Sequence, residues 1–337
     1  MALYALEDLD DAFDATRAFL WPIDRSRWIR LALVVFFVGG PIGNLNLFQY
    51  NVPADRGPSP GGLPTPPEIG PRLWLVLGTI VAAALVLGLL FLLVGSIMEF
   101  VLVESLRREE VAVRRYWGRR WRQGVRLFGF RLVIGLLVFG GVAVLAALFL
   151  LPAVVEVGPG TGAPGDVPVI AFLLLLPVVA VLAIVIGLID GFTTMFVVPI
   201  MILEGRGVLD GWRRLWPTIT ARPWQYLAYA VAGFVLTIVG GLLVAIAVGV
   251  AALVLLIPFG LLGAIGFFLS TAVPPVGLGV LAVVALSFGL SVLAITALVQ
   301  VPVVTYLRYY ALLVLGDVDD DLDLISDRRA AVRADEV

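Results

Sequence analysis

Hydrophobic positions fall into long uncharged blocks, separated by short charged or Pro/Gly-rich stretches. About 20 apolar residues cross a ~30 Å hydrocarbon layer as a helix, and six stretches meet that length. The first runs from near Trp28 to near Leu47, its outer half diluted by Gly39, Gly40, Pro41, Gly43, Asn44 and Asn46. The second, Leu73 to Met98, continues past Glu99 to Val103. The third is Leu132 to Val155, and the fourth runs from Val167 to Ile189 and on, beyond Asp190, to Leu203. No charge occurs from Pro223 to Leu307. Pro258-Phe259-Gly260 and Pro274-Pro275 divide that stretch, predicting spans over residues 226–257 and 277–305 with a re-entrant or interfacial piece, 259–270, between them. Polar Pro/Gly loops are expected at 49–71 and 157–166.

Two segments have helical period instead. Leu6, Leu9, Phe13, Thr16 and Leu20 recur at three- and four-residue spacing, predicting an amphipathic helix outside the bilayer over 5–20, acids opposite, ended by Trp21-Pro22. Over 111–128, Val113, Trp117, Trp121, Val125 and Phe128 share one side and Arg115, Arg119, Arg122 and Arg126 another. This is the pattern of a helix on the inner leaflet, Trp at headgroup depth and guanidinium groups toward phosphates. The bland alternative is that these residues only anchor the helix and enforce topology.

Composition strengthens the membrane reading. Of the 337 residues, 61% are hydrophobic and 14% charged, against about 45–50% and 25% in soluble domains. Cys and His are absent, which removes disulfides, thiolate metal sites and the Cys–His and Ser–His–Asp forms of nucleophilic catalysis. All 23 basic residues are Arg; a high-salt cytoplasm and a GC-rich genome each account for that. Arg also orients the chain, since basic loops stay cytoplasmic. Residues 104–131 hold nine Arg and 204–224 hold four, whereas 156–168 and 257–277 hold none. The expected fold is therefore all-α: a polytopic transmembrane helix bundle of six spans in the cell membrane, both termini cytoplasmic. It divides into an acidic N-terminal interfacial helix (1–24), a membrane domain (25–311) with basic loops at 104–131 and 204–224, and an acidic solvated tail (312–337).

The chain also repeats. Arg114-Arg115-Tyr116-Trp117 returns as Arg213-Arg214-Leu215-Trp216, each after a span ending in a Glu (Glu104, Glu204) and before an aromatic re-entry. Val197-Val198-Pro199-Ile200 is matched by Gln300-Val301-Pro302-Val303. Units of two spans are expected to be parallel repeats about an axis along the membrane normal.

The opening Leu3-Tyr4-Ala5-Leu6-Glu7-Asp8-Leu9-Asp10-Asp11-Ala12, the span entry from Arg30 to Gly40 and the closing Arg308-Tyr309-Tyr310-Ala311-Leu312-Leu313-Val314-Leu315-Gly316-Asp317 resemble, over the whole chain, multi-pass membrane proteins of halophilic archaea with no assigned activity. The even-span pattern with Val-Pro and a following Glu-Gly resembles, more distantly, the membrane domain attached to some glycerophosphodiester phosphodiesterases. The catalytic barrel of that family is missing here, so its reaction does not carry over.

The candidate chemistry is sparse. The tail Asp317-Val318-Asp319-Asp320-Asp321-Leu322-Asp323 lacks the Gly and Glu that a calcium-binding EF-hand needs, Leu322 and Arg328 standing there. Intramembrane polar residues are functional candidates because burying them in lipid is costly: Asp190, with Thr193 and Thr194 a turn away, Glu99 and Gln300. For Asp190 a position at the cytoplasmic end of a short span is an equal alternative. Two functions compete. One is a non-enzymatic protein organising anionic lipid or a partner complex through Arg115, Trp117, Arg119, Trp121, Arg122, Arg126, Arg213, Arg214 and Trp216. The other is a small-solute or ion transporter with Asp190 and Gln300 on its path. Neither needs a catalytic residue, cofactor, metal or nucleic acid. The partners expected are membrane lipids, and either a second copy of the chain or another membrane protein.

Overall fold

The computed structural model describes residues 4–39, 71–155 and 167–334, and these are helical with no strand among them. The helices are α1 (Tyr4–Leu20), α2 (Arg25–Val38), α3 (Pro71–Arg107), α4 (Val113–Val155), α5 (Val167–Phe192), a π-helical turn (Thr193–Val197), α6 (Val198–Glu204), α7 (Val208–Ala221), α8 (Pro223–Ala272), α9 (Pro274–Val318) and, after a short 3₁₀ turn, α10 (Ser326–Ala334). Five of them, all within α3 to α9, are long and apolar enough to cross a membrane, as befits a multi-pass membrane protein. The outer half of the first expected span and the loops at 49–71 and 157–166 fall outside the described residues, apart from Pro71, which opens α3.

Burial along the long helices is sparse within their most apolar stretches. In the most apolar window of α4 no residue is buried, and in that of α9 only 6% are. By contrast Phe100 to Ser105 and Tyr116 are buried in one part of the chain, and Leu127, Phe196 to Ile202 and Tyr309 to Leu315 in another. Most apolar side chains of the spans are open.

Three expectations need correction. First, residues 259–270 do not form a piece separate from the span before them. They continue α8, a 50-residue helix of ~75 Å at 1.5 Å per residue. Pro258 costs one backbone hydrogen bond, yet Phe259 packs edge-on against Phe288 of α9, 5.6 Å between centroids. A Cβ at Gly266 would lie 3.1 Å from Leu281. Close packing between the arms carries α8 through Pro258 and Gly260, and it stops only at Val273 before Pro274, where the pre-proline residue disfavours helix.

Second, the buried face of α1 departs from expectation in its first half. Thr16 and Leu20 are buried as expected, but Leu6 and Phe13 are exposed while Asp8, Asp11, Ala12 and Ala15 are buried. Arg333 takes up the two acids, and an ion-paired acid outcompetes an unpartnered leucine for that face. Third, the tail, 312–337, is not wholly solvated: among its described residues Leu312 to Leu315, Leu322, Leu324, Ile325 and Val332 are buried, which a charge count overlooks.

The chain forms two compact units. One comprises Thr16–Trp117 and Phe234–Leu307. In it α2 lies on the C-terminal half of α3, where a Cβ at Gly95 would come 2.6 Å from the Phe37 carbonyl oxygen. Phe36, Phe37 and Phe91 pack beside it. Arg27 and Arg30 donate to the carbonyls of Glu109 (3.1 Å) and Val111 (3.2 Å), so these two arginines hold the α3–α4 turn. The α8–α9 hairpin closes over Val244, Val248 and Val292. The other unit comprises Met1–Ala15, Gly118–Gly233 and Arg308–Val337, and it holds the groups with most chemistry.

Candidate functional site: a braced π turn and an arginine stripe

The distinctive backbone feature of the second unit is the π turn after Asp190. Its cause is local. Within the turn the Val198 N–H donates to the Thr193 carbonyl, a five-residue step. The same step from the Thr194 carbonyl leads to Pro199, which has no N–H. That carbonyl is therefore orphaned within its own helix, and a buried acceptor must find another donor. Arg308 provides it from α9, Nη1 to the Thr194 oxygen at 2.6 Å. Single-turn π bulges of this kind concentrate at functional sites.

Two more helices brace the turn. Arg131 of α4 donates from Nε to Asp190 Oδ1 (2.9 Å) and from Nη2 to Thr194 Oγ1 (2.7 Å). Trp212 of α7 donates from Nε1 to Thr193 Oγ1 at 3.0 Å, and that hydroxyl donates in turn to the Ile189 carbonyl. Gly211 allows α7 this close: a Cβ there would sit 2.7 Å from Val197 Cγ1. Beneath, Phe196 packs on Tyr229 (4.6 Å) and Tyr226 (5.5 Å), and Tyr229 stacks on Tyr310 (5.3 Å). One turn along, Gln123 donates to the Met201 carbonyl at 2.6 Å while accepting from Arg120.

Asp190 therefore has a cation as partner. Its side chain is 53% exposed and that of Arg131 15%. The threonines expected to serve Asp190 bond elsewhere: Thr194 to Arg131 and Thr193 to Trp212. Glu99 is buried and Gln300 half-buried, both in the other unit. Arg308, which the sequence offered only as part of the closing Arg308–Asp317 segment, is the residue sequence reasoning missed; it is 2% exposed. The Val-Pro pair at Val198-Pro199 was the available signal, since proline orphans a carbonyl one turn back.

The arginines of the two basic segments divide sharply. Arg115 pairs with Glu110 (2.6 Å) and reaches the Tyr116 hydroxyl (3.0 Å). Arg214 is held by Glu204 (3.5 Å) and Asp319 (3.2 Å), and Arg213 by Asp210 (3.3 Å). Arg119, Arg122 and Arg126 are exposed with no acidic partner among the described residues. They follow one stripe of α4, Arg122 also approaching the Trp121 ring at 5.8 Å. Trp121, Val125 and, on α7, Trp216 are exposed as well, whereas Trp117 is half-buried. The stripe does not belong to a separate interfacial helix. Residues 113–155 are one 43-residue helix, so the basic part continues the third span outward. Nothing between them breaks a helix: Gly118, Gly124 and Gly129 are tolerated within it.

The two Arg-Arg-x-Trp copies share a buried x position, Tyr116 and Leu215. They differ on the C-terminal side of the Trp. The first copy runs straight into its span, while the second is cut at Arg222, which precedes Pro223 and leaves the helical region (φ −133°, ψ 58°).

No curated protein and no solved structure matches the chain. The model of a family of unknown function, DUF7544, matches residues 3–325. With nearly the whole chain matched, this multi-pass helical protein belongs to the DUF7544 family.

Proposed function

We propose that this is a six-span, non-enzymatic protein of the cell membrane, both termini cytoplasmic, that gathers anionic lipid around its basic cytoplasmic face. The observation behind this reading is the stripe of Arg119, Arg122 and Arg126, left free of acids while Arg115, Arg131, Arg213 and Arg214 are all ion-paired. Unpaired exposed guanidinium groups bind phosphate oxygens well, in a bidentate fork.

The continuous α4 sets their depths. From Leu132, where the apolar run begins, Arg126 lies ~9 Å out, Arg122 ~15 Å and Arg119 ~20 Å along the axis. The headgroup layer is only ~5–8 Å deep per leaflet, but Arg side chains snorkel several ångströms back toward it. Arg126 should then contribute most and Arg119 least. At about 1 kcal/mol per arginine near an anionic surface, the three together give at most ~3 kcal/mol, about a hundredfold in lipid retention.

The test is native mass spectrometry of the full chain from bilayers containing neutral and anionic lipid. Arg126→Gln should lose more bound anionic lipid than Arg119→Gln, and the triple Gln variant most of it. Unchanged retention in the triple variant defeats the proposal. Equal losses at all three sites would refute the depth order along α4.

Asp190 and Gln300 were the basis of a transport path. Asp190 is half-exposed and paired with Arg131, so it supports that path less than the free arginine stripe supports lipid binding.

A further inference from the structure

In the unit that holds Met1–Ala15, α1 is fastened by its acids. Arg333 of α10 donates to three carboxylates: Asp8 Oδ1 (3.0 Å), Asp11 Oδ2 (2.8 Å) and Asp317 Oδ2 (2.6 Å). One turn earlier on α10, Arg329 bonds Asp317 and Asp323, with Asp320 at 3.9 Å. Arg328 donates to the Ala15 carbonyl at 3.4 Å. Four carboxyl groups thus crowd two guanidinium groups. The cleft alongside, of about 1050 Å³, adds Glu7, Asp10, Asp319, Asp320 and Asp321 against Arg222.

Asp8 is fully buried, and its Oδ2 meets no N–H or O–H donor among the described residues. Arg333 Nη2 donates both to Asp8 Oδ1 and to Asp317 Oδ2, so the two carboxyl groups lie side by side on one nitrogen. Two ionised carboxylates so placed in a buried site repel each other, and a proton on one of them relieves the repulsion. Asn in place of Asp8 would relieve it without titrating.

We propose that α1 is a proton-linked latch, docked on the α9 terminus and α10 while Asp8 is protonated and released as Asp8 ionises. Release would take Glu7, Asp10 and Asp11 out of the wall of the acidic cleft and open it on that side.

Burial first, then the Asp317 carboxylate beside it, push the Asp8 pKa up to about 8, with Arg333 opposing. A released helix returns Asp8 to its ordinary value of 3.8. Between those values the docked state holds one proton more than the released state. Docking is therefore strongest below about pH 4, weakens about tenfold per pH unit up to pH 8, and changes little above it. Arg333 stays charged throughout, its pKa raised by Asp317 and Asp11.

Hydrogen exchange of the full chain in lipid nanodiscs tests this. Protection of residues 6–15 is measured against residues 208–221 of the same chain from pH 5.5 to 8.5, which cancels the intrinsic pH dependence of exchange. The ratio should fall about tenfold per unit between pH 6 and 8. Asp8→Asn should hold it flat and high, whereas Asp14→Asn, an exposed acid of the same helix, should leave the slope unchanged. A flat ratio in the unaltered chain overturns the latch, whether or not Asp8→Asn folds. So does an unaltered slope in a folded Asp8→Asn variant.

Discussion

Replacing Arg308 by Met tests whether the π turn is held by a borrowed donor. Arg308 Nη1 meets the Thr194 carbonyl at 2.6 Å, and the residue is almost wholly buried. Met keeps most of the volume but has no donor. The carbonyl is then left unsatisfied, at a cost of about 1–3 kcal/mol, with lost packing and charge interactions added. The single variant alone cannot separate these terms. Pro199→Ala can, because it restores the N–H that the Thr194 carbonyl lacks within its own helix. In the Pro199→Ala background, Arg308→Met should cost less by the share owed to the orphaned carbonyl. The expected coupling is about 1–2 kcal/mol, within the range for residues sharing one hydrogen-bonded group. The assay is reversible unfolding of the full chain from mixed micelles, for wild type, both single variants and the double variant. Coupling below about 0.5 kcal/mol, the scatter of independent sites, would refute the account of why the turn is π and why Arg308 is buried.

Two further outcomes are expected. Asp190→Asn should cost at most about 1 kcal/mol, the value of a half-exposed pair, since Arg131 keeps Thr194 and the Asn oxygen. A loss of several kcal/mol in the same unfolding assay would show that Asp190 is more deeply seated. The continuous α8 places residues 267–273 at the far end of a hairpin longer than a bilayer, so single cysteines at Phe268 and Val273, in a chain with none of its own, should react with an impermeant maleimide from the non-cytoplasmic side. Protection of both, with reaction at Trp224, would favour a tip folded back into the membrane.

The all-α class and the membrane-spanning helices were legible in the sequence because a bilayer imposes a one-dimensional rule. A spanning helix must satisfy its backbone internally and cover it with apolar side chains for a fixed length. Leu73 to Met98 and Leu132 to Val155 meet that rule from composition alone, whatever their neighbours. The basic stripe was legible for the same reason, as helical spacing along one segment. What tertiary structure decided are pairings between distant residues. Asp190 meets Arg131 fifty-nine positions away, Arg308 reaches Thr194, and Arg333 gathers Asp8 and Asp11 from the opposite end of the chain. No local period encodes such partners, and they reverse local expectation. Acids of α1 turn inward while Leu6 and Phe13 turn outward, and part of a charged tail is buried. Pro258 was read as a break because propensity is local. The hairpin packing that carries α8 past it is not, since the free energy of Phe259 on Phe288 and of Gly266 on Leu281 exists only once α9 has folded back.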